Sequence, residues 1–162
     1  MGQRVIACAA GEWTLVAAIE RPGHPRAGVD AGTLAGIPAA GVTVADSWSC
    51  PADAVIDFSL PEAVAGIVAA CVAKKVPLVV ATTGLGDAEH AAIRAAAKTI
   101  PILQSPSMSL AVNISMDLVG RAAALLARAG GRTDVEISET HHRHKEDSPS
   151  GTALKFGAIV RE

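Results

Sequence analysis

"DAVIDFSLPEAVAGIVAACVAKKVPLVVATTG", residues 53–84, is the stretch on whose reading the fold depends. Asp53 to Ser59 is an apolar run of strand length. Pro61 then opens a helix that runs to Lys75. Its proline sits in the first turn, where the missing N–H costs nothing, Glu62 lies near the positive end of the helix dipole, and Lys74 and Lys75 lie at the negative end. Val76 to Thr83 is a second apolar run. Neither run alternates polar with apolar residues, so each strand is expected to be buried on both faces, as in a parallel sheet covered by helices.

The same beat extends in both directions. Downstream, Asp87 to Lys98 reads as an alanine-rich helix and Ile100 to Gln104 as a strand. Upstream, Arg4 to Ala10 (RVIACAA) and Thr14 to Glu20 (TLVAAIE) read as two more short buried strands. Between them and the central stretch, Arg21 to Gly41 is too rich in Gly and Pro for regular structure and is expected to be a mobile loop. After Ser109 the character changes. A long helix, SLAVNISMDLVGRAAALLARAG, ends at a Gly130-Gly131 C-cap signal and is long enough to bridge two domains. Thr133 to Thr140 then alternates Val135 and Ile137 with Glu136 and Ser138, the pattern of a half-buried strand. A domain boundary is therefore expected near Met108, with one domain over residues 1–108 and a linking helix with the start of a second over residues 109–162.

Composition narrows the function classes. A chain of 162 residues holds one ordinary domain, or one and part of another, and with half its residues apolar it can bury a core. A net charge of −2, with two Phe, two Trp and no Tyr, argues against a nucleic-acid partner, because there is little to neutralise phosphates or stack bases. The charge-free run Ala63 to Ala73 is too short to cross a bilayer, and Met1 to Ala10 lacks the segments of a signal peptide. No membrane partner is expected. Cys8, Cys50 and Cys71 are far apart and set among apolar residues, which reads as buried thiols of a cytoplasmic protein.

In parallel sheets ligands sit beyond the carboxyl ends of the strands. Those ends are Glu20-Arg21, Phe58-Ser59, Ala81-Thr82-Thr83-Gly84 and Ser105-Pro106-Ser107-Met108. A carboxylate at Glu20 suits a ribose and Arg21 a 2′-phosphate, although a solvated strand end would account for the same two residues. A second candidate region is "HHRHKEDSPSGTAL", residues 141–154. His141, His142, Arg143, His144 and Lys145 crowd like charges, a repulsion expected to make a lysine there a readier proton donor and to be relieved by an anion. Ser150 can cap the helix that follows, and Gly151 permits close backbone approach, so free N–H groups there can hold a carboxylate or phosphate. A small anionic ligand faced by cationic donors fits best, with a basic solvated loop as the competing account. The histidines lack the spacing of a metal site, so no metal is expected.

At this point the residues resemble a known family. The run "ETHHRHKEDSPSGTAL", together with "AAIE", "VIDFSLPEA", "VVATTGL" and "SPSMSLAVNISMDL" in the same order, resembles the 4-hydroxy-tetrahydrodipicolinate reductase (dihydrodipicolinate reductase) family of diaminopimelate and lysine synthesis. The resemblance implies an α/β chain: a Rossmann-like parallel sheet, then the start of an α+β substrate domain. It implies NADPH or NADH as cofactor, a small cyclic dicarboxylate as substrate, and a homotetramer. It also implies that His141 and Lys145 are the catalytic pair, with Lys145 the proton donor and His141 an assisting acid. His142, Gly151 and Thr152 would contact the substrate. Glu20 and Arg21 would meet the adenosine ribose and its phosphate, and Ala81, Thr82, Thr83, Ser105, Pro106, Ser107 and Met108 would line the cofactor.

Three departures from the family pattern are visible. The family usually has Gly where this chain has Ala81. It also has a glycine-rich turn and a crossover helix between its first two strands, whereas Ala9-Ala10-Gly11 runs here almost directly into Thr14. That leaves no pyrophosphate anchor and no crossover for a parallel pair. Finally, Glu162 falls inside the helix after Gly151, where the family continues with further strands, so the substrate domain is expected to be incomplete and the strand from Asp134 to Thr140 to present an unpaired edge. A reductase is the leading expectation. The alternative is a shortened, non-catalytic homologue that binds a carboxylate or a partner without turnover.

Overall fold

A computed structural model describes residues 1–9, 11–130, 133–141, 143, 145 and 148–161. The central stretch folds as the sequence predicts: β3 (Val55–Asp57), α3 (Pro61–Lys74) and β4 (Leu78–Val80), followed by α4 (Asp87–Ala96) and β5 (Ile102–Gln104). The three strands form one parallel sheet in the order β3-β4-β5, with Ile56 opposite Val79 and Val79 opposite Leu103. On α3 the buried positions are Val64, Val68 and Cys71, spaced four and three apart, so one helical stripe faces the sheet. They pack with Leu78, Val80, Ile93, Ala96 and Ile100 into the core, against which Trp48, Val55 and Ile102 also lie. The helix stops where Lys75 turns left-handed (φ 56°), its N–H reaching back to the carbonyls of Cys71 and Val72.

Ahead of this unit stands a separate two-stranded parallel sheet, β1 (Ala18–Ile19) with β2 (Val44–Ala45). The strand expected over Thr14 to Glu20 is thus laddered only at Ala18–Ile19. Of the buried strand expected over Arg4 to Ala10, Arg4 to Ala9 are helical instead, and Ala10 lies outside the described residues. Residues Gly2–Ala9 form helix α1, none of whose residues is buried, and which lies against α2. Two physical reasons account for the difference: a short continuous apolar run has no period that separates strand from helix, and a parallel strand would need a crossover that the few residues before Thr14 cannot make.

The loop expected from Arg21 to Gly41 contains α2 (Ala31–Ala35). Its organiser is Asp30, whose Oδ1 accepts from the N–H of Thr33 (2.9 Å) and of Ala40 (3.0 Å), while Oδ2 accepts from Gly41 N–H (2.9 Å). These backbone donors hold the Asp30 carboxyl below its ordinary range. Gly32 is required by the close return of the chain, since a Cβ there would stand 2.4 Å from the Pro38 carbonyl oxygen.

The cysteines also differ from expectation. Cys71 is buried, but Cys50 is half-buried, with its thiol 3.4 Å from the Val16 carbonyl oxygen, and Cys8 is exposed on α1. Burial, with the Asp57 charge adding to it, pushes the Cys71 thiol up.

Beyond β5, Ser109 caps helix α5 (Leu110–Arg128), which α6 (Gly151–Arg161) crosses at Gly120, where an added Cβ would lie 3.1 Å from Ile159 Cγ2. By length and composition α5 is long and apolar enough to cross a membrane, which the shorter run at Ala63 to Ala73 is not. It is largely exposed and carries an Asp117–Arg121 ion pair at 2.9 Å. The strand expected over Thr133 to Thr140 is absent: residues 133–140 form no regular secondary structure and join no ladder among the described residues. Alternation marks a chain that can pair, and a strand forms only where a partner edge is present.

Candidate active site

The carboxyl ends of β3 and β4 meet at one acid that sequence reading passed over. Asp57 ends β3 and is 4% exposed. Its Oδ1 accepts from Ser59 N–H (2.8 Å) and its Oδ2 from the Thr82 hydroxyl (3.0 Å), so it ties the turn after β3 to the turn after β4. Thr82 and Ala81 are both buried, and the Ala81 N–H continues the ladder to Asp57 O. The signal was present, since an acid inside VIDF is costly to bury unless it is hydrogen-bonded.

The third turn is tied down by its own hydroxyls. Ser105 Oγ donates to Ser107 O (2.7 Å), and Asn113, one turn into α5, donates from Nδ2 to the carbonyls of Ser107 and Ser109, each at 2.8 Å. The segment Ser105, Pro106, Ser107, Met108 is thereby fixed to the start of α5. Asn113 is a second residue that the sequence reading missed.

The basic run is organised by a further acid. Glu139 Oε2 lies 2.8 Å from His141 Nε2 and accepts the Ser150 hydroxyl hydrogen, while Oε1 accepts from Ser150 N–H at 2.8 Å. The hydrogen bond from the Ser150 hydroxyl, then those from His141 and the Ser150 N–H, hold the Glu139 carboxyl down at about 2. Ser150, 3% exposed, also caps α6 by accepting from Ala153 N–H at 3.1 Å. The Gly151 and Thr152 N–H groups that follow have no partner among the described residues, so they offer the open donors of a helix start. Glu139 shares the parity of Val135 and Ile137, so an acid in the apolar phase was the sequence signal.

The structure brings two of the expected groups together. A methyl group placed on Gly151 would lie 3.9 Å from Thr83 Cβ, so the start of α6 stands directly beside the turn after β4. Glu20 and Arg21 are exposed at the end of the β1-β2 sheet, which is not laddered to β3-β4-β5, and the Glu20 carboxylate is 4.0 Å from His24 Nε2. Lys145 is half-buried beyond His141. His142 and His144 lie outside the described residues.

Comparison with known proteins decides the family. Residues 1–108 match the family model described as dihydrodipicolinate reductase, N-terminus, and residues 111–162 the one described as dihydrodipicolinate reductase, C-terminus. The chain belongs to the dihydrodipicolinate reductase family. A 4-hydroxy-tetrahydrodipicolinate reductase of Rhodopirellula baltica is 46% identical over 99% of this chain and 60% of its own length. One of Alkalilimnicola ehrlichii is 48% identical over 91% of this chain and 55% of its own, and one of an Anaeromyxobacter species is 46% identical over 97% and 58%. The chain therefore spans 55–60% of the length of these relatives. As a member of this family it has an α/β architecture with parallel sheets, in keeping with a Rossmann-like N-terminal region.

Proposed function

We propose that this chain carries the reductase site of its family: NADPH- or NADH-dependent conversion of 4-hydroxy-tetrahydrodipicolinate to tetrahydrodipicolinate, in the cytoplasm, with a dinucleotide-binding region over residues 1–108 and a substrate region over residues 109–162. The observation that supports the reading is the nearness of Gly151 to Thr83, since a helix start with open N–H groups beside the end of a parallel strand suits a substrate carboxylate next to a nicotinamide.

The residues present suit the two ends of a dinucleotide unequally. The nicotinamide end meets small, well-anchored groups: Ala81, the Asp57-bound Thr82, Thr83, and the pinned loop from Ser105 to Met108. The pyrophosphate end is poorly served. The helix next after β1 is α2, and the Asp30 carboxylate already occupies its N-terminus, repelling an anion there. The dinucleotide therefore depends more heavily on Glu20, Arg21 and the nicotinamide end.

When bound, the nicotinamide supplies a hydride. Replacing the 4-hydroxyl of the substrate by hydrogen consumes that hydride and one proton and releases water. The Gly151 and Thr152 amides and the Thr152 hydroxyl hold a substrate carboxylate, with His142 as a further contact. Lys145 delivers the proton, and His141 assists as acid and as a charge facing the anionic substrate. On this reading the partner is a small dicarboxylate, with assembly into a homotetramer.

The test is a fluorescence titration of the chain with NADPH and NADH, with and without pyridine-2,6-dicarboxylate as a planar mimic of the substrate. Saturable binding that tightens with the dicarboxylate is expected. A folded chain that binds neither dinucleotide would overturn the reading.

A further inference from the structure

We propose that Glu139 is a positioning residue that fixes the His141 ring and the start of α6 in a single carboxylate grip, leaving Nδ1 as the nitrogen through which His141 exchanges a proton. The proposal rests on the reading of His141 given above and assigns how that residue is held. The geometry is direct. One carboxylate receives the His141 ring at 2.8 Å, the Ser150 N–H at 2.8 Å and the Ser150 hydroxyl. Its carboxyl is held down at about 2, so near neutral pH Glu139 is ionised and can only accept. The hydrogen between it and His141 therefore belongs to Nε2. A neutral His141 is consequently the Nε2–H tautomer, and any change in ring protonation occurs at Nδ1. The same carboxylate holds Ser150, whose hydroxyl caps α6 immediately before Gly151 and Thr152. The acid–base group and the carboxylate-binding turn are thus set relative to each other by one residue, with Ile137, Pro149, Ala153, Leu154 and Arg161 around it. A side chain that orients an imidazole by binding its second nitrogen acts through that imidazole and need not touch substrate.

The experiment is long-range proton–nitrogen NMR of the histidine rings in the full chain, at a pH where the rings are neutral, with His141 identified by its loss in His141→Asn. The wild-type chain is expected to show His141 as the Nε2–H tautomer. Glu139→Gln is expected to turn it into a tautomer mixture and to lower kcat about 10- to 100-fold, the worth of one charge-assisted hydrogen bond, with dinucleotide affinity within about twofold of wild type. Ser150→Ala, which disturbs the cap but keeps the carboxylate, should leave the His141 tautomer as it is. A wild-type chain with His141 in the Nδ1–H form overturns the proposal, and this arm holds even if Glu139→Gln does not fold. Equal loss of tautomer order in Glu139→Gln and Ser150→Ala also overturns it, since that would mean only general loosening. A tautomer that behaves as expected in a chain without turnover upholds the grip and removes the reductase reading instead.

Discussion

Asp57→Asn probes the junction of β3 and β4, and its cost follows from the two bonds the carboxylate makes. Asp57 receives Ser59 N–H at 2.8 Å and the Thr82 hydroxyl at 3.0 Å while 4% exposed, and a hydrogen bond to a charged group contributes about 1.5–3 kcal/mol net. Asparagine keeps one oxygen for Ser59 N–H and turns an NH₂ toward Thr82. The Thr82 hydroxyl can rotate to accept that hydrogen, so roughly one charge-assisted bond is exchanged for a neutral one, a loss of about 1–2 kcal/mol. Asp57→Ala leaves Ser59 N–H unpaired and Thr82 with only its longer 3.4 Å bond to the Ser59 carbonyl, a loss of about 2–3 kcal/mol. Urea unfolding read by circular dichroism measures both, with a lowered midpoint and an unchanged slope expected. A double-mutant cycle with Thr82→Val isolates the pair, for which a coupling of about 1–2 kcal/mol is expected. An Asp57→Asn midpoint equal to wild type, or a cycle that closes with no coupling, would refute the claim that this carboxylate ties the two strand ends together. If that tie shapes the nicotinamide site, Asp57→Asn also raises KM for the dinucleotide.

Gly32→Ala forces a Cβ to within 2.4 Å of the Pro38 carbonyl oxygen, and about 1–3 kcal/mol of lost stability is expected in the same urea assay; an unchanged midpoint would mean the 30–41 segment is not held as described. The Glu139 carboxyl lies at about 2 when folded against an ordinary 4.5, so it is a depressed acid: the stability it adds is complete above 4.5 and drains away as pH falls toward 2. The midpoint difference between wild type and Glu139→Gln should therefore shrink across that window, and a constant difference would discount the ionised grip. Lys145→Ala should cut turnover strongly while leaving dinucleotide affinity nearly unchanged, and equal loss of both would take Lys145 out of the proton-donor role. Arg21→Ala should weaken NADPH more than NADH in a fluorescence titration, because only NADPH offers a 2′-phosphate; an unchanged preference would remove Arg21 from the site.

From residue 53 to residue 128 the sequence by itself determined the structure closely. There, local signals and tertiary demands agree: Pro61 and Lys74 mark the ends of α3, Ser109 caps α5, and the unbroken apolar runs of β3 and β4 are long-range contacts waiting for cover. The basic run from His141 to Lys145 and the helix start from Ser150 to Thr152 also stand out in the sequence, as residue types at fixed positions along the chain. Elsewhere tertiary structure decided. The run from Arg4 is apolar enough for a strand, yet Arg4 to Ala9 belong to α1, because a parallel strand there would need a crossover that so short a connection cannot make. Asp30 converted part of a Gly- and Pro-rich loop into α2 by satisfying amides up to eleven positions away. Residues 133–140 carry a strand pattern and form none, since a ladder requires a second strand beside it. The nearness of Gly151 to Thr83, and the roles of Asp57 and Glu139, are relations between residues distant in sequence, which composition and periodicity do not encode and only the packed chain supplies.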